Sequence, residues 1–164
     1  MKLLTLVRHS IAVDSDEAYD DFSRTLTTEG KNLAIKVVQF INTELLNDAF
    51  FISSPAPRAL ETAVIFAQHA SIDTKQIVQH KFLYNWFSIQ SFVYFLDEVA
   101  RGRQNVWIFG HNPMLSQLVH RLNPNFKISL PKCSVVIFKT SAKEWIDLDV
   151  ENTTMINFIN SKQI

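Results

Sequence analysis

The sequence contains little of several residue types, and each scarcity excludes a class of protein. Its 164 residues include one cysteine, Cys133, so no internal disulfide and no cysteine cluster for a metal can form. A lone thiol with no reactive signature around it is expected to be structural. Charged residues balance at 16 basic and 16 acidic, without the basic excess typical of proteins that bind duplex nucleic acid or membrane surfaces. We therefore expect neither as a partner.

Long apolar runs are also missing. None approaches the roughly 18 to 20 residues that span a bilayer. The chain opens with Met1-Lys2 and enters a short apolar run directly, without the regions of a secretory signal. We therefore expect a cytoplasmic protein. The length suits one domain over 1–164, and 47% hydrophobic residues supply its core; the oligomeric state is left open.

Short apolar runs alternate with amphipathic segments along most of the chain. The strand predictions are 3–7, 49–53, 77–79 and 105–109. The helix predictions are a long helix over 27–45, one beginning near Pro55, one over 89–100 and one over 113–122. This alternation predicts an α/β fold, a three-layer αβα sandwich around a mostly parallel sheet.

Two further segments break this alternation. Residues 13–25 are polar, carry five carboxylates and show no period, which predicts a loop. Near the C-terminus, the runs 135–138 and 145–150 flank a polar turn and predict an antiparallel hairpin at the sheet edge. Residues 155–159 are compatible with a short final strand.

Basic side chains stand where three of the predicted strands end. Arg8 and His9 follow the first strand, Arg58 lies in the first turn of the helix after the second, and His111 follows the fourth. Ligands bind at this edge of open α/β sheets. Two forked guanidinium groups match the oxygens of a phosphoryl group. One neutral imidazole could attack phosphorus while the other donates to a phosphate oxygen.

Such a site needs no metal or other cofactor, because the arginines already supply the positive charge that a metal would bring. The sequence therefore predicts a site for a phosphorylated substrate, either a phosphorylated protein or a small phosphorylated molecule.

Four motifs appear in order along the chain. They are Val7-Arg8-His9, Arg24-Thr25-Leu26-Thr27-Thr28-Glu29-Gly30, Ser53-Ser54-Pro55-Ala56-Pro57-Arg58-Ala59-Leu60-Glu61-Thr62-Ala63 and Gly110-His111-Asn112-Pro113. Together they resemble the histidine phosphatase superfamily, also called phosphoglycerate mutase-like, and within it the short bacterial phosphohistidine phosphatases of the SixA type. The resemblance implies the phosphoglycerate mutase-like fold and a phosphatase that works through a phosphorylated histidine.

The resemblance also assigns roles to residues. It implies that His9 is the nucleophile, that Arg8 and Arg58 clamp the phosphate, and that His111 holds a phosphate oxygen and stabilises the transition state. Water then releases phosphate. Arg24 is a further candidate for substrate contact.

The sequence departs from the family pattern at three places. Ser10 stands where the family has glycine, which adds a side chain at the expected pocket floor and makes Ser10 a candidate substrate contact. Ile11 stands where an acidic residue is frequent. No glutamate occurs in 80–86, where many relatives place the proton donor. The general acid is therefore unassigned, and the loop carboxylates are candidates for it: Asp14, Asp16, Glu17, Asp20 and Asp21.

Three functions remain open from the sequence. A missing acid favours a substrate whose leaving group solvent protonates readily, which makes phosphohistidine on a protein the first hypothesis. The chain has no obvious insertion that would cover the pocket, and an open pocket can admit a phosphohistidine that is carried on a protein. The alternatives are a phosphomonoesterase for a small metabolite or nucleotide, and a catalytically inactive phosphate-binding module. Tyr84, Trp86 and Phe87 are expected to fill the core rather than line a docking surface.

Overall fold

The computed structural model describes residues 1–18 and 20–164; Tyr19, part of the predicted acidic loop, lies outside the described residues. Its strands are β1 (Lys2–Arg8), β2 (Phe50–Ser53), β3 (Val78–Gln79), β4 (Asn105–Gly110), β5 (Val135–Thr140) and β6 (Thr153–Ile159). Its α-helices are α1 (Thr28–Gln39), α2 (Pro57–His69), α3 (Ile89–Val99) and α4 (Met114–Leu122). No helix in the described ranges is both long and apolar enough to cross a membrane.

The strands form one mixed sheet in the order β3-β2-β4-β1-β5-β6. The first four of these run parallel, while β5 is antiparallel to β1 and β6 is antiparallel to β5. The predicted fold class is confirmed, including its antiparallel edge. In register, Arg8 lies opposite Gly110 and Ser53 lies opposite Phe109. The ends of β1, β2 and β4 therefore meet at one edge of the sheet.

Side chains of β1 point alternately into two apolar layers. Leu4 and Leu6 belong to a buried cluster with residues of α3 and α4 such as Leu96 and Leu118. Val7 belongs to a second cluster, which contains residues of α1 and α2. Each fully buried side chain of this size contributes about 1.5 to 3 kcal/mol. The two layers fix β1 on both faces, and β1 in turn fixes the residues that follow it.

The predicted strand at 145–150 is wrong. Residues Trp145–Asp147 and Val150–Asn152 form two short 3₁₀ turns, and the edge strand is β6. Trp145 is fully buried, and its indole N–H donates to the carbonyls of Ala100 and Arg103. The carboxylate of Asp149 accepts the N–H of Val150. The alternation of apolar and acidic residues thus comes from one buried anchor and a capping acid, not from the two faces of a strand.

Helix α1 is shorter than predicted. Thr27 caps its start as expected, accepting the N–H of Gly30, but the helix ends at Gln39 rather than near Leu45. The side chain of Asn42 accepts the N–H of Glu44 and starts a separate 3₁₀ turn. An asparagine side chain that bonds to the backbone competes with the helix. The helical spacing of apolar residues therefore continues to Leu45 although the helix itself ends at Gln39.

Candidate active site

The two histidines of the motifs lie side by side where β1 and β4 end. The N–H of His9 donates to the carbonyl of Gly110 at 3.0 Å, which ties the two strand ends together. The ring centroids of His9 and His111 are 5.1 Å apart. Their exposed fractions are 7% and 9%. The structure therefore brings together the two imidazoles that the sequence separates by about a hundred residues.

The surroundings of His9 determine which ring nitrogen carries its hydrogen. Nδ1 lies 2.7 Å from the carbonyl oxygen of Ser10. A carbonyl only accepts, so Nδ1 is assigned the hydrogen and Nε2 keeps a lone pair. Burial, then the charges of His111, Arg58 and Arg8, lower the pKa of His9 to about 3. At neutral pH His9 is therefore a neutral imidazole with a free Nε2, the form that attacks phosphorus.

His111 has the opposite arrangement. Its Nε2 lies 2.8 Å from the hydroxyl of Ser54, which itself accepts the N–H of Ala56 at 3.3 Å. Among the described residues, Nε2 is the only acceptor for the hydrogen of the Ser54 hydroxyl, so the hydroxyl is assigned as the donor to Nε2, which leaves the ring hydrogen on Nδ1. Burial first, and the charge of Arg58 next, lower the pKa of His111 to about 4. Its Nδ1 has no hydrogen-bond partner among the described residues.

Both predicted arginines reach this edge of the sheet. Arg58 lies in the first turn of α2 with 4% of its surface exposed. Arg8 donates through Nη1 to the carbonyl of Leu130 at 2.6 Å. Burial lowers the pKa of Arg8, but a guanidinium stays charged in proteins. The charges of both arginines act on both histidines.

Three buried N–H groups at this edge share one property. Within the described part of the chain, Nε of Arg8, Nε of Arg58 and Nδ1 of His111 are buried without a hydrogen-bond partner. A buried donor left without an acceptor costs about 1 to 3 kcal/mol. Such donors suit an anion rich in acceptor oxygens.

The acidic loop contacts the site through Asp21. Its Oδ2 lies 2.9 Å from Nη2 of Arg58 and 3.0 Å from the hydroxyl of Tyr84, and its Oδ1 lies 3.0 Å from Nη1 of Arg24. Burial acts to raise the pKa of Asp21, but the hydrogen bonds from Arg24 and Tyr84 and the charge of Arg58 lower it to about 2. Asp21 is therefore an ionised carboxylate held against the buried arginine.

Arg24 holds this loop in place. Besides its bond to Asp21, its Nε donates to the carbonyl of Val13 at 2.7 Å. Its direct contact with a substrate remains a prediction.

Ser10 does not lie where the sequence placed it. Its hydroxyl donates to the carbonyl of Gly30 at 2.7 Å, and its N–H donates to the hydroxyl of Thr62. The residue is completely buried. The side chain thus points behind the site toward the start of α1, and the expectation of a hydroxyl on the pocket floor is corrected. At Gly30 itself, a Cβ atom would lie 1.9 Å from the carbonyl oxygen of Ile11, so the turn after β1 requires glycine there.

The structure adds two residues that sequence reasoning missed. Ser54 lies inside the third of the four motifs, but only its distance to His111 gives it a role. Tyr84 was expected in the core; instead its ring stands edge-on to His111 at 5.5 Å and its hydroxyl reaches Asp21. Trp86 is 74% exposed, against the same expectation, whereas Phe87 does pack against the core. No sequence period marks Tyr84, because it ends a 3₁₀ turn.

The predicted structural role of Cys133 fits its surroundings. The thiol is buried, which raises its pKa to about 12, so it is not a reactive thiolate. Its N–H donates to the carbonyls of Arg8 and His9. Cys133 thereby helps to hold the end of β1.

Comparison of the sequence with models of known families and with curated proteins finds no match. Solved structures do match along nearly the whole chain. A candidate phosphohistidine phosphatase SixA from Agrobacterium tumefaciens is 20% identical, with a TM-score of 0.70, covering 96% of this chain and 97% of that one. The protein histidine phosphatase SixA in complex with tungstate is 17% identical, with a TM-score of 0.75 and 98% coverage of both chains.

A mycobacterial glucosyl-3-phosphoglycerate phosphatase is also similar, at 11% identity and a TM-score of 0.66, covering 96% of this chain and 98% of that one. The overall fold of this chain is thus similar to that of several proteins whose names describe them as phosphatases. The chain has the phosphoglycerate mutase-like fold of the histidine phosphatases, as its four motifs led us to expect.

Proposed function

We propose that this protein is a metal-independent phosphatase that forms a phosphohistidine on His9, with phosphohistidine on a protein as its main substrate. One observation carries the proposal. Among the described residues, a neutral His9 with a lone pair on Nε2 lies beside His111, whose buried Nδ1 has no hydrogen-bond partner, and both rings feel the charges of the buried Arg58 and the half-buried Arg8. This combination supplies a nucleophile and the charge that a phosphoryl group needs.

The reaction has two displacements at phosphorus. Nε2 of His9 attacks, the bond from phosphorus to the substrate nitrogen breaks, and the electron pair stays on that nitrogen. Arg8 and Arg58 neutralise the phosphoryl oxygens. His111 donates from Nδ1 to one oxygen, an interaction that elsewhere contributes about 2.7 to 4 kcal/mol to the transition state. The negative charge of the bound phosphoryl group raises the pKa of His111 and so favours the imidazolium, which also carries a hydrogen on Nδ1. Water then attacks phosphorus and frees His9.

The choice of phosphohistidine rests on three supports. The SixA proteins named above share the fold. One of them binds tungstate, a tetrahedral oxyanion like phosphate. No glutamate stands in 80–86, where many relatives have their acid, so the proton for the leaving group must come from another part of the chain or from solvent, and an imidazole leaving group depends less on that proton than an alkoxide does.

A small phosphate ester is the second candidate substrate. The glucosyl-3-phosphoglycerate phosphatase has the same fold and, by its name, acts on such an ester. The alternative of a catalytically inactive binding module is weakened, because the Ser10 side chain, one of the two reasons for it, is hydrogen-bonded to Gly30 and points away from the site.

A comparison of rates separates the two substrate classes. The purified protein is given a histidine-phosphorylated phosphotransfer domain and, separately, a panel of sugar phosphates and nucleotides at equal concentration. We expect kcat/KM to be at least about tenfold higher on the phosphoprotein, a difference of about 1.4 kcal/mol in transition-state binding. Fast turnover confined to the esters would reject the proposed substrate class.

A trapping experiment separates an enzyme from a binding module. After rapid quench with a ³²P-labelled substrate, we expect acid-labile, base-stable label on the wild type and none on His9→Ala. His120→Ala is the matched control, since His120 lies on α4 and bonds to the carbonyl of Ile128 instead. Tungstate binding without any trapped label would establish the module and reject the enzyme.

A further inference from the structure

Asp21 is hydrogen-bonded to Arg58, the arginine that the proposed function assigns to phosphate binding. Nη1 of Arg58 donates to the main-chain carbonyl of Asp21, and Nη2 donates to its carboxylate at 2.9 Å. Both terminal nitrogens of Arg58 are thus engaged by one residue of the acidic loop. A phosphoryl group that binds Arg58 must share these donors or displace the carboxylate.

Asp21 also lies on the solvent side of the site. Its side chain is 56% exposed, whereas that of Arg58 is 5% exposed and His9 is buried. The charges of His111, Arg58 and Arg8 act on His9, while the charge of Asp21 acts on His111. In a displacement at phosphorus, the attacking and leaving atoms stand roughly in line. With His9 attacking from the buried side, the leaving atom departs toward solvent, the side on which Asp21 stands.

We propose that Asp21 is the proton carrier of the reaction, giving a proton to the leaving group in the first displacement and taking one from water in the second. This inference rests on the proposed function. In the first step the phosphorus–nitrogen bond breaks and the leaving nitrogen takes the proton from Asp21. In the second, the carboxylate accepts a proton from the attacking water as the bond from phosphorus to His9 breaks. The carboxyl group is regenerated, and the sum is hydrolysis.

Substrate binding raises the pKa of the Asp21 carboxyl, so that it can take up a proton from solvent. In the free protein, hydrogen bonds from Arg24, Tyr84 and Arg58 hold Asp21 ionised. A phosphoryl group that takes Nη2 of Arg58 removes one of these bonds and brings negative charge beside the carboxylate. Both changes favour the protonated form. The carboxyl then takes a proton from solvent and remains attached to the loop through Arg24.

The other loop carboxylates are placed differently. Asp20, next to Asp21 in the chain, accepts the N–H of Ser23 and is exposed. Asp14, Asp16 and Glu17 are exposed, as Asp21 is, but among the described residues none of the three forms a salt bridge, whereas Asp21 forms salt bridges with Arg24 and Arg58. The structure thus selects Asp21 from the five acidic candidates and provides Asp20 as a matched neighbour.

The test compares Asp21→Asn with Asp20→Asn on two aryl phosphates that differ in their leaving groups. Phenyl phosphate releases a strongly basic phenolate that needs a proton, whereas 4-nitrophenyl phosphate releases a weakly basic one. We expect Asp21→Asn to lower kcat on phenyl phosphate by about 10²-fold or more, as loss of a general acid does, and to change the rate of His9 phosphorylation by 4-nitrophenyl phosphate by less than about 10-fold. Asp20→Asn should match the wild type on both.

Equal losses on both substrates, or no loss on either, would overturn the inference, because a merely structural role does not depend on the leaving group. Rapid-quench labelling of His9 in the wild type keeps this result separate from the proposed function. If His9 is labelled and the two losses are equal, Asp21 is not the proton carrier and the phosphatase stands. If no label forms on wild-type His9, the proposed function fails and this inference fails with it.

Discussion

At the scale of residues, burial sets the chemistry of the site. His9 and His111 are both kept neutral in the free protein, with pKa values of about 3 and about 4, chiefly because burial disfavours the imidazolium. Their hydrogen-bond partners then differ: a carbonyl oxygen at Nδ1 of His9 and a hydroxyl at Nε2 of His111. Two identical side chains are thus prepared for different roles, one with a free lone pair and one with a free N–H.

The forked geometry of Arg58 gives the first prediction at this scale. Arg58→Lys keeps the positive charge but replaces two directed donors with one ammonium. We expect tungstate to bind about 10- to 100-fold more weakly, the equivalent of losing one hydrogen bond to a charged group, about 1.5 to 3 kcal/mol. Arg101→Lys is the control, because Arg101 makes an exposed contact with Asp97. Isothermal titration of all three proteins with tungstate measures the effect; equal affinities would show that the guanidinium fork is not used.

Nδ1 of His111, which has no hydrogen-bond partner among the described residues, gives a second prediction. His111→Ala removes a donor from the transition state, and we expect kcat to fall by about 10²- to 10³-fold. The rate of His9 labelling should fall by a similar factor, because His111 acts on the same phosphoryl transfer. Stopped-flow and quench measurements would contradict this if kcat stays within about twofold of the wild type, a change well under 1 kcal/mol in the barrier.

At the scale of elements, the turn after β1 controls the position of His9. The hydroxyl of Ser10 reaches the carbonyl of Gly30, and the carbonyl of Ile11 lies against the α-carbon of Gly30. The start of α1 is therefore packed directly on the chain that carries the nucleophile. A change at this contact should affect stability and activity together.

Gly30→Ala tests the contact. The added methyl would lie 1.9 Å from the carbonyl oxygen of Ile11, so the backbone must move. We expect the free energy of unfolding to fall by about 1 to 3 kcal/mol, as in other overpacked sites, and kcat to fall as His9 shifts. Thr28→Ala, at an exposed position of the same helix, should change neither by much. Urea unfolding curves with an unchanged m-value would measure the difference, and a fully stable Gly30→Ala would refute the contact.

The elements also show what the sequence could and could not predict. Strands β1, β2 and β4 follow from continuous apolar runs, and the residues after them follow from the chain direction in a parallel sheet. The strand predicted at 145–150 is wrong because a buried indole, that of Trp145, and a capping carboxylate, that of Asp149, produce the same alternation of apolar and acidic residues as a strand. The contacts of Asp21 with Arg58 and Tyr84 join residues 37 and 63 positions away, and no local period marks such contacts.

At the scale of the whole molecule, two apolar layers and a continuous sheet hold these side chains at one edge. The sheet carries β1 at its centre, between β4 and β5, so the nucleophile follows a strand that is paired on both sides. Local opening at such a place requires breaking both ladders and exposing core residues. Keeping two imidazoles neutral there makes stability depend on pH.

The dependence on pH has a definite sign. In the unfolded chain both histidines take up a proton near their ordinary pKa of 6.5, whereas in the folded protein their pKa values are about 3 and about 4. The unfolded state binds more protons between these values, so the free energy of unfolding falls as the pH decreases below 6.5. Each histidine adds a slope of about 1.4 kcal/mol per pH unit. The double variant His9→Gln/His111→Gln should show a clearly flatter dependence between pH 6.5 and 4 in urea unfolding; an unchanged slope would contradict the neutral state of the pair.

The position of the phosphoryl group on the trapped protein tests most directly whether Nε2 of His9 is the nucleophile. Wild-type protein quenched during turnover is digested, the labelled peptide is sequenced, and ³¹P NMR distinguishes the two isomers of phosphohistidine. Because Nδ1 of His9 donates to the carbonyl of Ser10, we expect phosphate on Nε2 of His9 and on no other residue. Label on Nδ1, on His111 or on another side chain would contradict it.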